Sequence, residues 1–355
     1  MRKYLAVAAL LAASCSFLVT RVQAQSALLD IPRDSQHARV LQRVGITDIV
    51  INYHRPLVKG RKIWGNIVPY GQVWRAGANE NTTIEFSDPV SIEGKMLAKG
   101  IYGLHMMPSE TEWTIIFSKA ASAWGSFTYN QSEDALRVTV KPQTAEMKEA
   151  LSYDFDDVTP TSATVTMRWE KVAVPFKVEV NTNELVAQSL HSQLRGLPQY
   201  TWNGWDDAAT YFFTNKYNLE EALKYEDRSI QVEERYDNLM NKSRILDALN
   251  RKDDATAARN KALSMANVIQ LHSYGRQLQQ QGKQEQAFEV FRTNIKKDPN
   301  HWLVRTEAAR LAVAKGDYDG AVKEMKLALA SAPDQAKSTL EGLIKRLEAK
   351  QDINK

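Results

Sequence analysis

The stretch Thr82-Thr83-Ile84-Glu85-Phe86, Ser87-Asp88-Pro89, Val90-Ser91-Ile92, Glu93-Gly94-Lys95, Met96-Leu97, Ala98-Lys99-Gly100, Ile101-Tyr102-Gly103-Leu104-His105-Met106-Met107 decides the class of the first half of this chain. Short runs rich in β-branched, aromatic and aliphatic residues are cut by Asp-Pro, Glu-Gly-Lys and Lys-Gly punctuation, the pattern of strands joined by tight turns. Upstream, Ile49, Ile51 and Tyr53 alternate in the same way. Downstream, Trp113 to Phe117, Leu136 to Val140, Leu151 to Phe155, Ala163 to Trp169 and Pro175 to Val180 follow, with Thr159-Pro160-Thr161-Ser162 as a further turn. No helical segment in between is long enough for a parallel crossover. Residues 35–181 are therefore expected to form an all-β antiparallel sandwich, or a barrel if the same strands close on themselves.

After Asn181 the pattern changes to Ala, Leu, Glu, Lys and Gln at helical spacing. Residues 182–205 are expected to be a connection, and residues 206–349 a set of helical repeats. Ala287, Phe291, Pro299 and Gly282 recur 34 positions later as Ala321, Met325, Pro333 and Gly316. Ala255 and Ala222 hold the equivalent small position at intervals of 32 and 33. This spacing resembles the tetratricopeptide repeat, in which the small residue lets two helices cross closely and the proline ends the unit. The units 267 to 300 and 301 to 334 match best, with Ser338 to Ala349 as a capping helix. What the resemblance implies is a surface for an unknown protein or peptide partner.

Residues 1–24 read as a signal peptide: Arg2 and Lys3, an apolar run to Val19, then Val22-Gln23-Ala24 before Gln25. The expected location is the periplasm or the exterior of the cell, with no transmembrane segment after cleavage. The alternative is a lipoprotein anchored at Cys15, the only cysteine. Cleavage at Ala24 removes that thiol, and with it any disulfide or thiolate ligand. It also takes Arg2, Lys3 and Arg21 from a formal charge of +4. What remains is nearly neutral, so a nucleic-acid partner is not expected.

Between strands lies the loop Tyr53 to Glu80, which holds five Lys or Arg against one acid, four Gly, two Pro and two Trp. Such ordered irregular loops are where binding groups concentrate. Its motifs Arg55-Pro56-Leu57-Val58-Lys59-Gly60-Arg61, Val68-Pro69-Tyr70-Gly71-Gln72-Val73-Trp74-Arg75 and Gly77-Ala78-Asn79-Glu80, with Gly100 to His105, Glu112 to Phe117, Trp124-Gly125 and Asp134 to Val138, resemble a secreted bacterial family known as domain of unknown function 2911. The resemblance implies kinship and no activity. His54 stands where that family would have a small polar residue.

Arg55, Lys59, Arg61 and Arg75 are candidate anion ligands, because guanidinium forks bind carboxylate or phosphate bidentately and an ammonium adds a point charge. Trp64 and Trp74 are candidate walls for a sugar or an apolar ring. Asn79, Glu80 and His105 complete the candidate ligand site, and the competing reading is that the set staples the loop to the sheet. The expected function is binding: a small anionic or polar ligand or peptide at loop 54–80, and a protein at the repeats. A hydrolase using Glu80 and His105 is the rival, and a structural envelope protein without ligand the third reading. No Walker loop, Rossmann glycine pattern or Gly-x-Ser-x-Gly elbow occurs, and no cofactor or metal is expected.

Overall fold

The computed structural model describes residues 31–354. The signal sequence and Cys15 lie outside the described residues. Ten strands come first: β1 (Gln36–Val44), β2 (Thr47–Arg55), β3 (Thr83–Phe86), β4 (Val90–Ile92), β5 (Lys95–Leu97), β6 (Gly100–Met107), β7 (Trp113–Ser118), β8 (Asp134–Val140), β9 (Gln143–Asp156) and β10 (Ser162–Glu179). They form two antiparallel sheets, ordered β1-β2-β3-β6-β7-β8 and β5-β4-β10-β9. One buried core, with Ile49, Ile51, Ile84, Leu104 and Phe117 from the first sheet and Val165, Met167, Trp169, Phe176 and Val178 from the second, lies between them. Of the two expected closures the chain takes the sandwich.

Two expected strands, 163 to 169 and 175 to 180, are one long strand, β10. Ala163, Val165, Met167 and Trp169 are buried at odd positions, whereas Val174, Phe176, Val178 and Val180 are buried at even ones. The phase flips because Glu170 takes a positive φ of 54° and the register with β9 shifts on both sides of it. A bulge adds one residue and turns the next side chains to the other face, so alternation read along the sequence breaks where the strand does not.

From Thr182 the chain is helical. Among the described residues ten helices follow: α1 (Thr182–Gln193), α2 (Trp202–Thr214), α3 (Leu219–Val232), α4 (Tyr236–Ala248), α5 (Lys252–Met265), α6 (Val268–Gln280), α7 (Gln284–Lys297), α8 (Trp302–Ala314), α9 (Tyr318–Ser331) and α10 (Asp334–Glu348). The stretch read as a connection thus holds α1 and a 3-10 turn, Leu197–Tyr200. Two compact units divide the chain, the first running to Leu185 and the second starting at Val186. No helix of the described residues is long and apolar enough to cross a membrane.

Within the second unit α2 packs on α3, α4 on α5, α6 on α7 and α8 on α9, with α10 against α9. Gly282 and Gly316, at φ of 74° and 77°, turn the chain after α6 and α8. Ala222, Ala255, Ala287 and Ala321 are all fully buried, and a Cβ on Gly275 would run into the Phe291 ring. Small residues therefore stand where helices cross. Successive hairpins are also tied by buried polar pairs. Asn241 of α4 donates to Glu226 of α3 at 2.6 Å, and Asn294 of α7 donates to Glu307 of α8 at 2.9 Å. The acid and amide have exchanged places between the two junctions.

Candidate functional site

Loop 56–82 joins β2 to β3 by way of both sheets. Pro56 and Val58 pair with β9, through Leu151 N–H to the Pro56 carbonyl at 3.0 Å and Val58 N–H to the Glu149 carbonyl at 2.9 Å. Trp74 then pairs with Met106 of β6 through two bonds of 2.8 Å. Between these anchors Val58, Ile63, Trp64 and Val68 are buried in the common core. Trp64 meets Trp113, Trp169 and Trp74 edge-on, with ring centroids 4.8 to 5.9 Å apart, and Trp74 stacks on Trp169. Of the indoles that sequence nominated as ligand walls, Trp64 is part of the core between the sheets and Trp74 packs against it.

The basic residues of the same half face backbone. Arg55 donates Nε to the Leu151 carbonyl at 2.9 Å, and Arg61 donates to the Val58 and Leu57 carbonyls at 3.1 and 2.6 Å. Lys59 reaches Asp34 at 3.0 Å, in the open, while its backbone N–H caps Glu149. These are the contacts of a stapled loop.

Arg75, Asn79, Glu80 and His105 gather elsewhere, on the outer face of the six-stranded sheet. Ala76 and Asn79 have positive φ, of 51° and 59°, and Gly77 has Thr82 Oγ1 and the His54 carbonyl where a Cβ would be, so the turn closes tightly over β2. Tyr153 Oη and Thr82 Oγ1 both donate to the Ala76 carbonyl and hold the turn in place. The arm before β1 straps it from above. Asn79 donates to the Ser35 carbonyl at 3.1 Å, and Arg33 donates to Glu80 Oε1 at 2.8 Å. On the other side of Glu80, Oε2 lies 3.3 Å from His54 Nδ1, and the His54 ring meets His37 of β1 edge-on.

The connection from β7 to β8 closes the site. Asn81 Nδ2 donates to the Ala120 carbonyl at 3.1 Å, and a Cβ on Gly103 would sit 2.9 Å from that carbonyl oxygen. Gly103 is thus what lets this loop lie on the sheet. Further along, His105 Nδ1 bonds Ser126 Oγ at 2.8 Å, and Tyr129 Oη donates to Asp134 Oδ2 at 2.6 Å, sharing it with Arg137. Gly125 lies directly against the Arg75 guanidinium, Phe127 packs on it with its centroid 5.3 Å away, and Trp124 faces Arg33 at 5.9 Å. Phe127 is 79% exposed and Trp124 46% exposed. The only hydrogen bond Arg75 makes to described protein atoms is from Nη1 to the Asn79 carbonyl.

The charges follow from these contacts. Burial opposes the Glu80 carboxylate, but a backbone hydrogen bond, the Arg33 fork and the neighbouring His54 and Arg33 charges outweigh it and hold its pKa below the usual range. Burial lowers His54, against the pull of Glu80 and with help from His37 and Arg33. At neutral pH its contact with Glu80 is therefore a neutral ring beside a carboxylate rather than an ion pair. Burial drives His105 down to about 4, with Asp134 resisting and Arg75 adding to the shift. Burial also lowers Arg75, against Glu80, and the guanidinium remains a cation. Among the described residues no three of His, Cys, Asp and Glu gather as a metal site.

Sequence reading missed Arg33, His37, Ser126, Trp124 and Phe127 as members of this cluster and set His54 aside. Arg33 and the loop after β7 come from segments remote in sequence, and only the pairing of β1 with β2 and of β6 with β7 brings them over Glu80.

Residues 35–178 match the family described as a protein of unknown function, DUF2911, and residues 278–342 match a tetratricopeptide repeat family. The order of the two is that expected from sequence. Among solved structures the chain is similar to the APC/C hetero-tetramer Cut9–Hcn1, at 16% identity and a TM-score of 0.30, covering 48% of this chain and 33% of that one. It is also similar to YrrB, a TPR protein with an unusual peptide-binding site, at 13% identity and a TM-score of 0.28, covering 47% of this chain and 86% of that one. The chain spans about a third of the length of the first of these. No curated protein matches it.

Proposed function

We propose that this chain is a secreted or periplasmic interaction protein, whose helical repeats dock a protein or peptide partner and whose β domain holds a small anionic or polar ligand beside Arg75. The repeats are of a type built for protein interaction. The ligand reading rests on one observation above all. Arg75 is fixed by a single bond to the Asn79 carbonyl and by packing against Gly125 and Phe127, while its remaining donors have no acceptor among the described protein atoms. A guanidinium held rigid with donors to spare is suited to a carboxylate or phosphate. Exposed Trp124 and Phe127 supply flat apolar surface at its rim.

The geometry favours binding over hydrolysis. A general acid or base needs a pKa near the working pH and a free lone pair or proton. Glu80 is held ionised by Arg33, and His105 is neutral, buried and engaged with Ser126. A structural role is best supported for Arg61, which donates to two carbonyls of its own loop, and for Arg55, which ties the start of the loop to the Leu151 carbonyl of β9.

Thermal melts of the parent, Arg75→Gln and Arg55→Gln, each with sugar acids, phosphates and short acidic peptides, test the ligand reading. The expected result is a ligand that raises the parent's melting temperature and binds Arg75→Gln about tenfold more weakly or worse, the scale of one charged hydrogen bond. No shift with any of these ligands, together with a lowered melt for Arg75→Gln alone, would overturn it. The location is tested by mass spectrometry of the protein from its native envelope. A chain beginning at Gln25 supports the secreted form, and a diacylated chain beginning at Cys15 replaces it with a lipoprotein.

A further inference from the structure

Three arginines recur on the first helices of successive hairpins: Arg276 on α6, Arg310 on α8 and, after the last hairpin, Arg346 on α10. Arg310 stands 34 residues after Arg276, and Arg346 follows 36 later, close to one repeat apart each time. None of the three has a carboxylate within salt-bridge distance among the described residues, although the helices around them carry many ion pairs. Arg310 is only 6% exposed, and its Nε is buried without a hydrogen-bond partner. Burial, and the charges of Arg276 and Arg346, lower it to about 9, with Asp352 and Glu307 resisting.

The chain covers this row with its own continuation. After α10, Lys350 takes a positive φ of 52°, Lys350 N–H bonds the Leu347 carbonyl at 2.8 Å and Gln351 N–H the Arg346 carbonyl at 2.9 Å. That pair of bonds is a Schellman turn, built here on lysine rather than glycine, and it folds the chain back on the helices. Arg346 then donates to the Asp352 carbonyl at 2.9 Å, and Arg310 donates Nη1 to the Ile353 carbonyl. Gln279 donates to Asn354 Oδ1 at 3.0 Å, and Asn354 Nδ2 donates to the Arg310 carbonyl at 3.0 Å. Ile353, 3% exposed, seats in the core of Val313, Leu340, Ile344 and Leu347. An apolar anchor flanked by backbone carbonyls on arginines, and an amide clasped at both ends, is how a bound peptide would lie.

We propose that residues 350–354 are a tethered occupant of a peptide groove, and that the partner of the repeats is an extended segment with an aliphatic anchor and a carboxylate that faces Arg310. Backbone carbonyls leave Arg310 under-satisfied, whereas a carboxylate would pair with its fork and relieve the repulsion among three unneutralised guanidiniums. The incoming carboxylate is either an acidic side chain or a chain terminus. The inference rests on the reading of the repeats as a docking surface, and it adds that the surface is masked by the chain itself. A tether of a few residues gives an effective concentration of order mM, so a segment whose own Kd is of order 10–100 μM masks the groove by roughly ten- to a hundredfold.

The test uses the full chain and a fluorescent peptide with the sequence of residues 350–354, made once as the free acid and once as the amide. In parent protein binding is expected to be weak. Ile353→Ser, which removes the apolar anchor without adding a charge beside Arg310, is expected to bind the peptide at least tenfold more tightly, with that gain removed by a further Arg346→Gln or Arg276→Gln. Tighter binding of the free acid points to a terminal carboxylate, and equal binding to the side chain of Asp352. A folded Ile353→Ser that takes no peptide, or takes it regardless of the arginines, overturns the proposal. Should Ile353→Ser fail to fold, Asn354→Ala leaves the anchor seated and the groove intact and loosens the clasp of the tethered segment alone. Its hydrogen exchange at residues 351–354 and its peptide affinity must then both rise, and exchange that rises without affinity overturns the proposal. Crosslinking in the native envelope separates the two readings. A partner captured equally by parent and Ile353→Ser leaves docking standing and removes the masking, whereas no partner with either removes docking itself.

Discussion

Replacing Glu226 with glutamine should stabilise the helical unit, and by more as the pH rises. Glu226 is fully buried on α3, faces Asp206 of α2 and accepts from Asn241 of α4 at 2.6 Å. Burial first, and then the neighbouring Asp206, push its pKa up to about 10 from 4.5. Between those values the folded state keeps a proton that the unfolded chain gives up. The unfolded state therefore binds fewer protons, and stability falls as pH rises through that window. At pH 7 the gap to 4.5 spans about 2.5 units, and at ~1.36 kcal/mol per unit the carboxyl costs ~3 kcal/mol relative to a group that does not titrate. Glutamine copies the protonated acid. Its oxygen accepts from Asn241, its amide can donate toward Asp206, and it has no proton to lose. The amides of α3 and α4, followed by hydrogen exchange in the full chain, report the opening free energy of this region without requiring the two units to unfold together. The difference between Glu226→Gln and parent is expected to grow by ~1.4 kcal/mol per unit from pH 5 to pH 8. A difference that stays flat across that range, or a variant less stable than parent at pH 8, would refute the reasoning and mean that Glu226 is ionised in the fold.

The β domain should respond to pH in the opposite direction. His105, lowered to about 4 from 6.5, is neutral when folded and charged when unfolded below 6.5, so stability should fall by up to ~3 kcal/mol between pH 6.5 and pH 4; exchange of the β6 amides in parent and His105→Asn checks whether the slope belongs to this ring. Gly103→Ala places a Cβ 2.9 Å from the Ala120 carbonyl oxygen and 3.1 Å from Asn81 Nδ2, so the loop must lift, at a cost of about 1–3 kcal/mol and with loss of any ligand that needs Phe127 and Trp124. An unchanged melt would show that this loop does not rest on the sheet. Ala321→Leu should overpack a fully buried helix crossing and cost about 1–3 kcal/mol, measured as lost helical signal in urea, whereas no change would place Ala321 at a surface.

The sequence alone carries the repeating features of this protein, because they depend on near neighbours. Two-residue alternation marks strands, Gly and Pro mark turns, and the 34-residue return of Ala287 and Gly282 as Ala321 and Gly316 marks stacked hairpins. Each is a constraint that every copy must satisfy locally. Where the local rule bends, as at Glu170, the alternation slips by one residue and one strand reads as two. Composition placed both halves in their classes, and it marked the basic loop without dividing its roles. Tertiary structure made that division. Arg61 finds two carbonyls within four residues and Arg55 one on the other sheet, while Arg75 finds one carbonyl of its own turn and then Gly125 and Phe127, some fifty residues along the chain. Whether a guanidinium staples a loop or faces a ligand depends on what its donors and its flat faces meet, and those neighbours arrive by strand pairing and loop closure over long separations. The arginines of the repeats make the same point. Their period is written in the sequence, but that the chain folds back to cover them is decided by the turn at Lys350 and the seat for Ile353.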